Sequence, residues 1–460
     1  MTTALALGQM RRRPAAFLCL AAALFLAVAT VTLFGSLMAA ELAAPAGAPT
    51  APTGPGLMVI SAAFGEIAVL VAFFVVINAL GFAVRQQHRE LALLRTIAAT
   101  PGQVRRLVRL QAVVTTLLVG APAGLAGTFA AHRFLAELAR RDMAAPGVRI
   151  PATPLPALVA VAVTLLVGVA AAAVAVRRIS RMAPAAATTA GSAEHARTGV
   201  PRLLLGVATL TGGAMLLRLA ATRPPEAADK AGQAALLSSL VLMVALALIG
   251  PPAATVLVAA LGLPLRALAR CSGWLADANL RGYAHRLSAA VVPVALLVGL
   301  SGTMSIMTNT AEHAARAANP ALATVTSTTD VWLRQAEMAL LVCFAAVSVV
   351  NTLVALTLDR RREFGLLTLI GTTRRRLLHM VGVEAVLITA VGVVLGALVA
   401  SAASAAFSRA VTGSWVPSVP VAACGWIVAG AAALTLPGIL GPGLRAVAGP
   451  AVEAAGGRRD

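Results

Sequence analysis

Ten long apolar runs divide this 460-residue chain, and they leave few options for its fold. A run of about 18 apolar residues or more is long enough to cross a bilayer as a helix, and inside hydrocarbon only a helix satisfies its own backbone within one segment. The runs lie near residues 14–38, 57–84, 112–131, 155–176, 203–221, 234–262, 288–308, 336–358, 385–404 and 421–440. Composition agrees: 59% of residues are hydrophobic and 12% charged, with a mean hydropathy of +0.88, too apolar for the surface of a soluble protein this size. The expected fold is an all-α polytopic membrane protein with about ten transmembrane helices.

The first run follows Arg11, Arg12 and Arg13 and precedes small residues, the layout of a cleaved signal peptide. Its apolar stretch exceeds a signal core of about 7–15 residues, so a retained helix is the better reading. The formal charge of +20 points to membrane topology rather than nucleic acid. With the N-terminus placed in the cytoplasm, most of the 37 Lys and Arg residues fall in inner segments, which predicts both termini inside. The outer segment 132–152 is an exception, with Arg133, Arg140, Arg141 and Arg149. Contact with anionic headgroups would explain it, and chance accumulation is the plainer reading.

Cys19, Cys271, Cys343 and Cys424 are scattered without metal or redox spacing, so neither a disulfide framework nor a metal site is expected. The one lysine, Lys230, sits in Ala-Asp-Lys-Ala. A phosphate-binding loop needs Gly-Lys followed by Ser or Thr, so this chain has none. It is expected to be a non-catalytic membrane subunit that binds no cofactor. If ATP drives it, ATP and Mg sit on another chain.

Residues 78–112 match residues 351–385 without a gap, at an offset of 273. Asn78 pairs with Asn351, Arg89 with Arg362, Glu90 with Glu363, Leu93 with Leu366, Leu94 with Leu367, Ile97 with Ile370 and Thr100 with Thr373. Each copy runs from an apolar span through a basic Arg-Glu stretch and a Thr-bounded break into another span. The chain then reads as two parallel four-helix units with two helices inserted between them. The expected divisions are a first unit at 1–180, a linker at 181–202, an inserted pair at 203–262, a connector at 263–287, a second unit at 288–445 and a tail at 446–460. The linker reads as flexible, and the connector as holding an interfacial amphipathic helix with Trp274 and Tyr283 at headgroup level.

Leu91, Leu94, Ile97 and Ala98 fall at helical spacing with arginines on other faces, which predicts an amphipathic helix at the cytoplasmic surface. Thr100-Pro101-Gly102-Gln103 supplies an N-cap, a proline at the first helical position and a capping-box glutamine. Thr373 is expected to cap the matching helix. These stretches also fit ordinary positive flanks beside spans, but a flank has no need to keep Glu, Leu-Leu, Ile and Thr at the same offsets twice.

Arg-Glu-Leu-Ala-Leu-Leu-Arg-Thr-Ile-Ala-Ala-Thr and Arg-Glu-Phe-Gly-Leu-Leu-Thr-Leu-Ile-Gly-Thr-Thr resemble the signature of FtsX/MacB-type ABC transporter permeases. Ten spans with two such units resemble the BceB-type branch. The resemblance implies that the helix after the second span of each unit docks on an ATP-binding subunit, one copy per helix. The implied coupling residues are Arg89, Glu90, Leu93 and Leu94, and Arg362, Glu363, Leu366 and Leu367. It also implies a bacterial cytoplasmic membrane, and export or mechanotransmission of a hydrophobic or amphiphilic substrate such as an antibiotic, peptide or lipid. Asn78 and Asn351 match a polar position of the family's second helix, where an amide suits a helix joint better than a lipid face.

The chain departs from the family in places. Glu384 matches a Glu that often opens the third helix of a unit, whereas the first copy has Gln111, and Gly371 stands opposite Ala98. The loops at about 39–56 and 309–335 are too short for the folded outer domain that members commonly carry. Glu66 and Glu337 lie in spans two and eight, where a carboxylate faces protein, water or a partner, which makes them substrate-path candidates; Arg334 is a ready ion partner for Glu337. Two other readings stand beside the permease: a non-transporting FtsX-type regulator of an outside enzyme, and an ion-driven secondary transporter. The second lacks paired midplane acids, since Glu66 has Ala339 at its offset.

Overall fold

The computed structural model describes residues 14–44, 56–86, 100–145, 147–180, 200–282, 284–318, 328–359 and 361–448. Among them the chain is helical, with no strands. The helices are α1 (Pro14–Leu42), α2 (Leu57–Gln86), α3 (Pro101–Arg140), α4 (Leu155–Ser180), α5 (Val200–Ala221), α6 (Ala228–Gly282), α7 (Ala284–Ala318), α8 (Thr328–Asp359), α9 (Arg361–Leu369), α10 (Arg374–Thr412) and α11 (Val421–Ala448). Among the described residues nine helices are long and apolar enough to cross a membrane, and α2 holds the remaining run. The chain is an all-α polytopic membrane protein. Several helices outrun their apolar cores: α3 has 40 residues and α6 has 55, continuing through the connector to Gly282.

One compact unit comprises residues up to Ala190 together with Thr328–Leu340. In it α1 packs against α2, α3 and α4, while α4 also meets α2 and α3. Val28, Ala123 and Ala160, one from each of α1, α3 and α4, form a buried cluster. Small residues let the backbones approach: a side chain at Gly127 would strike the Ala29 carbonyl, 2.4 Å from its Cβ. At the end of the bundle shared by the close of α1, the start of α2 and the close of α3, Phe34, Phe64 and Phe134 meet with ring centroids 5.4–6.1 Å apart. Trp332 of α8 lies 5.5 Å from Phe134, and the Arg141 guanidinium stands 4.7 Å over the Trp332 ring.

The other unit holds α5, α6, α7, α9, α10, α11 and the rest of α8. Here α7 packs against α6, α10 and α11, and α10 also meets α5 and α6. This surrounds α7 so fully that every residue from 290 to 307 is buried. Gly392 and Gly396 make a close joint with α7: a Cβ on Gly396 would lie 2.7 Å from the Ala295 carbonyl and 2.8 Å from Val298.

The repeat is visible in detail. Thr116 donates to the Ala112 carbonyl at 2.8 Å, and at the same offset Thr389 donates to the Ala385 carbonyl at 2.8 Å. Thr389 also meets the Thr435 hydroxyl at 2.7 Å, a polar joint between α10 and α11.

Helix α6 crosses Pro251 and Pro252, which have no N–H to offer the carbonyls of Ala247 and Leu248 one turn back. Arg202, near the start of α5, supplies the missing donors: Nη2 bonds the Ala247 carbonyl at 2.8 Å and Nε the Leu248 carbonyl at 3.1 Å. An orphaned carbonyl in hydrocarbon is costly, so this guanidinium allows the helix to pass the two prolines.

Candidate functional site

The best-defined of the sequence-derived sites is α9, which carries Arg362, Glu363, Leu366 and Leu367. Phe364 is its anchor, buried at 1% exposure, and α9 packs against α11. Glu363 and Leu367 are half-buried. The opposite edge is open and apolar, with Leu366, Leu369 and Ile370 exposed and Ile370 at 82%.

The stop of α9 is a Schellman motif. The Gly371 N–H donates to the Thr368 carbonyl at 3.0 Å and the Thr372 N–H to the Leu367 carbonyl at 3.0 Å. This closure needs a left-handed residue, and Gly371 has φ +95°. Thr373 then sits extended at the N-cap of α10. The expectation that Thr373 caps as Thr100 does is corrected here, because its side chain makes no capping bond. A capping box needs an acceptor three residues on to return the bond, and that residue is Arg376, which has only donors.

At the matching start of α3 the box is complete. Gln103 N–H donates to the Thr100 hydroxyl at 3.3 Å, and the Thr100 N–H donates to Gln103 Oε1 at 2.9 Å. Pro101 occupies the first helical position. The first-copy coupling candidates Arg89, Glu90, Leu93 and Leu94 lie outside the described residues, as do the linker from 181 to 199 and the tail from 449. Asn78 and Arg362 lie on α2 and α9, and Trp274 on α6, with side chains outside what the structure describes.

The remaining candidates lie on α2 and α8. Asn351 is half-buried on α8; Glu66 is exposed on α2, and Glu337 is half-buried on α8. Among the described residues the carboxylate that the fold buries is Glu384, at 0% exposure on α10, and its offset partner Gln111 on α3 is buried at 2%. Sequence reasoning noted this pair only as a difference between the copies. The signal that could have raised it was a polar side chain in both copies one helical turn before the Thr116 and Thr389 region. Among the described residues no cluster of His, Cys, Asp and Glu could hold a metal ion.

Comparison with known families adds one finding. A family model, FtsX-like permease C-terminal, matches residues 62–184 and 336–447, together just over half of the chain. The two matches start within one residue of the repeat offset, and each runs from the second helix of a copy to its last. No curated protein matches the chain.

Proposed function

The chain belongs to the FtsX-like permease family and is a permease component of an ABC-type system, and on that premise we propose that two cytoplasmic Arg-Glu helices couple it to a separate ATPase. FtsX-like permeases generally work with an ATP-binding subunit. In the proposal one copy of that subunit docks on the 86–99 stretch and a second on α9, each carrying its own ATP and Mg. The observation that supports this most is α9 itself. It is anchored by Phe364, stopped by Gly371, and leaves Leu366, Leu369 and Ile370 exposed on a segment read as cytoplasmic. Apolar side chains held open to water on a rigid element are what a partner protein covers.

The transported or sensed molecule is proposed to be hydrophobic or amphiphilic, an antibiotic, peptide or lipid, in a bacterial cytoplasmic membrane with both termini inside. Closely packed small-residue helices, such as those meeting at Gly127 and Gly396, favour a substrate that enters from the bilayer over one crossing a wide aqueous pore. The test is the double variant Glu90→Gln, Glu363→Gln purified with its ATPase. Substrate-stimulated ATP hydrolysis should be lost while the variant stays folded by thermal unfolding in detergent. Stimulation equal to the parent's would overturn the coupling proposal.

A further inference from the structure

The face of α3 that points away from its bundle ends in arginine. Leu118, Leu125 and Phe129 are exposed at helical spacing, and Arg133 and Arg140 continue the same line. An exposed apolar stripe of this kind faces acyl chains, so the cations above it stand where the headgroups begin.

Their charge is incompletely neutralised. Glu137 serves two guanidiniums, accepting from Arg140 at 3.1 Å and from Arg141 at 2.9 Å, and Arg141 is already committed to the Trp332 ring. Arg140 keeps 77% of its side chain exposed. Among the described residues no carboxylate pairs with Arg133, whose guanidinium lies 5.2 Å over the Phe129 ring. That ring is itself 63% exposed, so Arg133 is held against the lipid-facing stripe rather than swung into the loop. Arg149, exposed beyond the end of α3, adds to the field.

We propose that this is a binding site for an anionic phospholipid of the outer leaflet. One acyl chain lies along Leu118, Leu125 and Phe129, and the phosphate is received by Arg133 with Arg140 beside it. Guanidinium suits this task because it offers planar paired donors to phosphate and sheds its water readily. The site accounts for the cluster of four arginines in this outer segment, which runs against the inward bias of most of the chain's cations. The choice of leaflet rests on the topology within the proposed function; the chemistry of the stripe and its arginines does not.

The test places the full-length protein in nanodiscs of phosphatidylglycerol or phosphatidylcholine and counts retained lipids by native mass spectrometry. The parent should retain phosphatidylglycerol selectively. Arg133→Gln, Arg140→Gln should weaken that binding roughly ten- to thirty-fold, whereas Arg316→Gln, Arg409→Gln, which removes two other cations predicted to lie outside, should leave it unchanged. Equal retention of both lipids, no loss in the first variant, or an equal loss in the second would overturn the site. In parallel, Arg149→Cys in a variant whose four native cysteines are replaced by serine should react in intact cells with a membrane-impermeant maleimide. Labelling only after permeabilisation would overturn both the outer-leaflet assignment and the topology, while outside labelling without selective binding overturns the site alone.

Discussion

Three residues make the helix ends around the proposed coupling segments: Thr100 acts through its hydroxyl, Thr373 through its backbone and Gly371 through its left-handed φ. Thr100 closes a reciprocal capping box, so Thr100→Ala should cost about 1 kcal/mol. Thr373 holds the matching position without a side-chain bond, so Thr373→Ala should cost only a few tenths of a kcal/mol. Thermal unfolding of the two single variants in detergent, with amide exchange at the starts of α3 and α10, checks the difference, and equal losses would refute it. Gly371 has φ +95° and open space around the position of a Cβ, so a substitution there meets no steric neighbour and strains only the backbone. Gly371→Ala should therefore loosen the stop of α9 at a cost of about 1–2 kcal/mol. Amide exchange should rise over 366–373, and no other segment should change.

Among the elements, α6 and α10 show how polar backbone and close packing are managed in an apolar chain. Removing the Arg202 guanidinium leaves the Ala247 and Leu248 carbonyls without donors, since Pro251 and Pro252 cannot replace it. Arg202→Met should destabilise the unit by roughly 1–3 kcal/mol and raise amide exchange near 247–254; unchanged exchange would mean that water serves those carbonyls equally well. Along α10 two glycines make opposite forecasts. A side chain at Gly396 collides with α7, whereas Gly382 has nothing within 4 Å of its Cβ position. Gly396→Val should lower the unfolding temperature by an amount equivalent to about 1–3 kcal/mol, and Gly382→Ala should leave it nearly unchanged.

At the scale of the molecule, the sequence repeat is exact in register, yet the copies sit in different surroundings. In the first copy α1 leads its unit and packs on α2, α3 and α4. In the second, α5 and α6 join the unit, and α7, the counterpart of α1, is enclosed along residues 290–307. The proposed docking of an ATPase at each Arg-Glu stretch predicts two ATPase copies per permease, which native mass spectrometry of the co-purified complex measures directly. A single ATPase per chain would leave one Arg-Glu helix without its proposed role. The unequal surroundings further predict that Glu90→Gln and Glu363→Gln alone reduce stimulated hydrolysis to different extents.

Much of this was legible in the residues themselves. Spans follow from the length of apolar runs, because hydrocarbon thickness sets helix length. The two Arg-Glu copies and the break at Thr100 follow from offset and capping chemistry, which are local. The matched family regions fall where the repeat placed them. Other features depend on which helices meet. Hydropathy cannot separate a helix facing lipid from one facing protein, since both are apolar, so the enclosure of α7 was invisible. Nothing local links Arg202 to two prolines about fifty positions away, nor Trp332 to Arg141. The reciprocal half of the box at Thr373 is ruled out by Arg376, a donor where the first copy has an acceptor. The burial of Glu384 and the lipid-facing line from Leu118 to Arg140 were likewise decided by packing. Sequence periodicity determined what could span the membrane, and tertiary contact decided which faces were left to meet lipid or a partner.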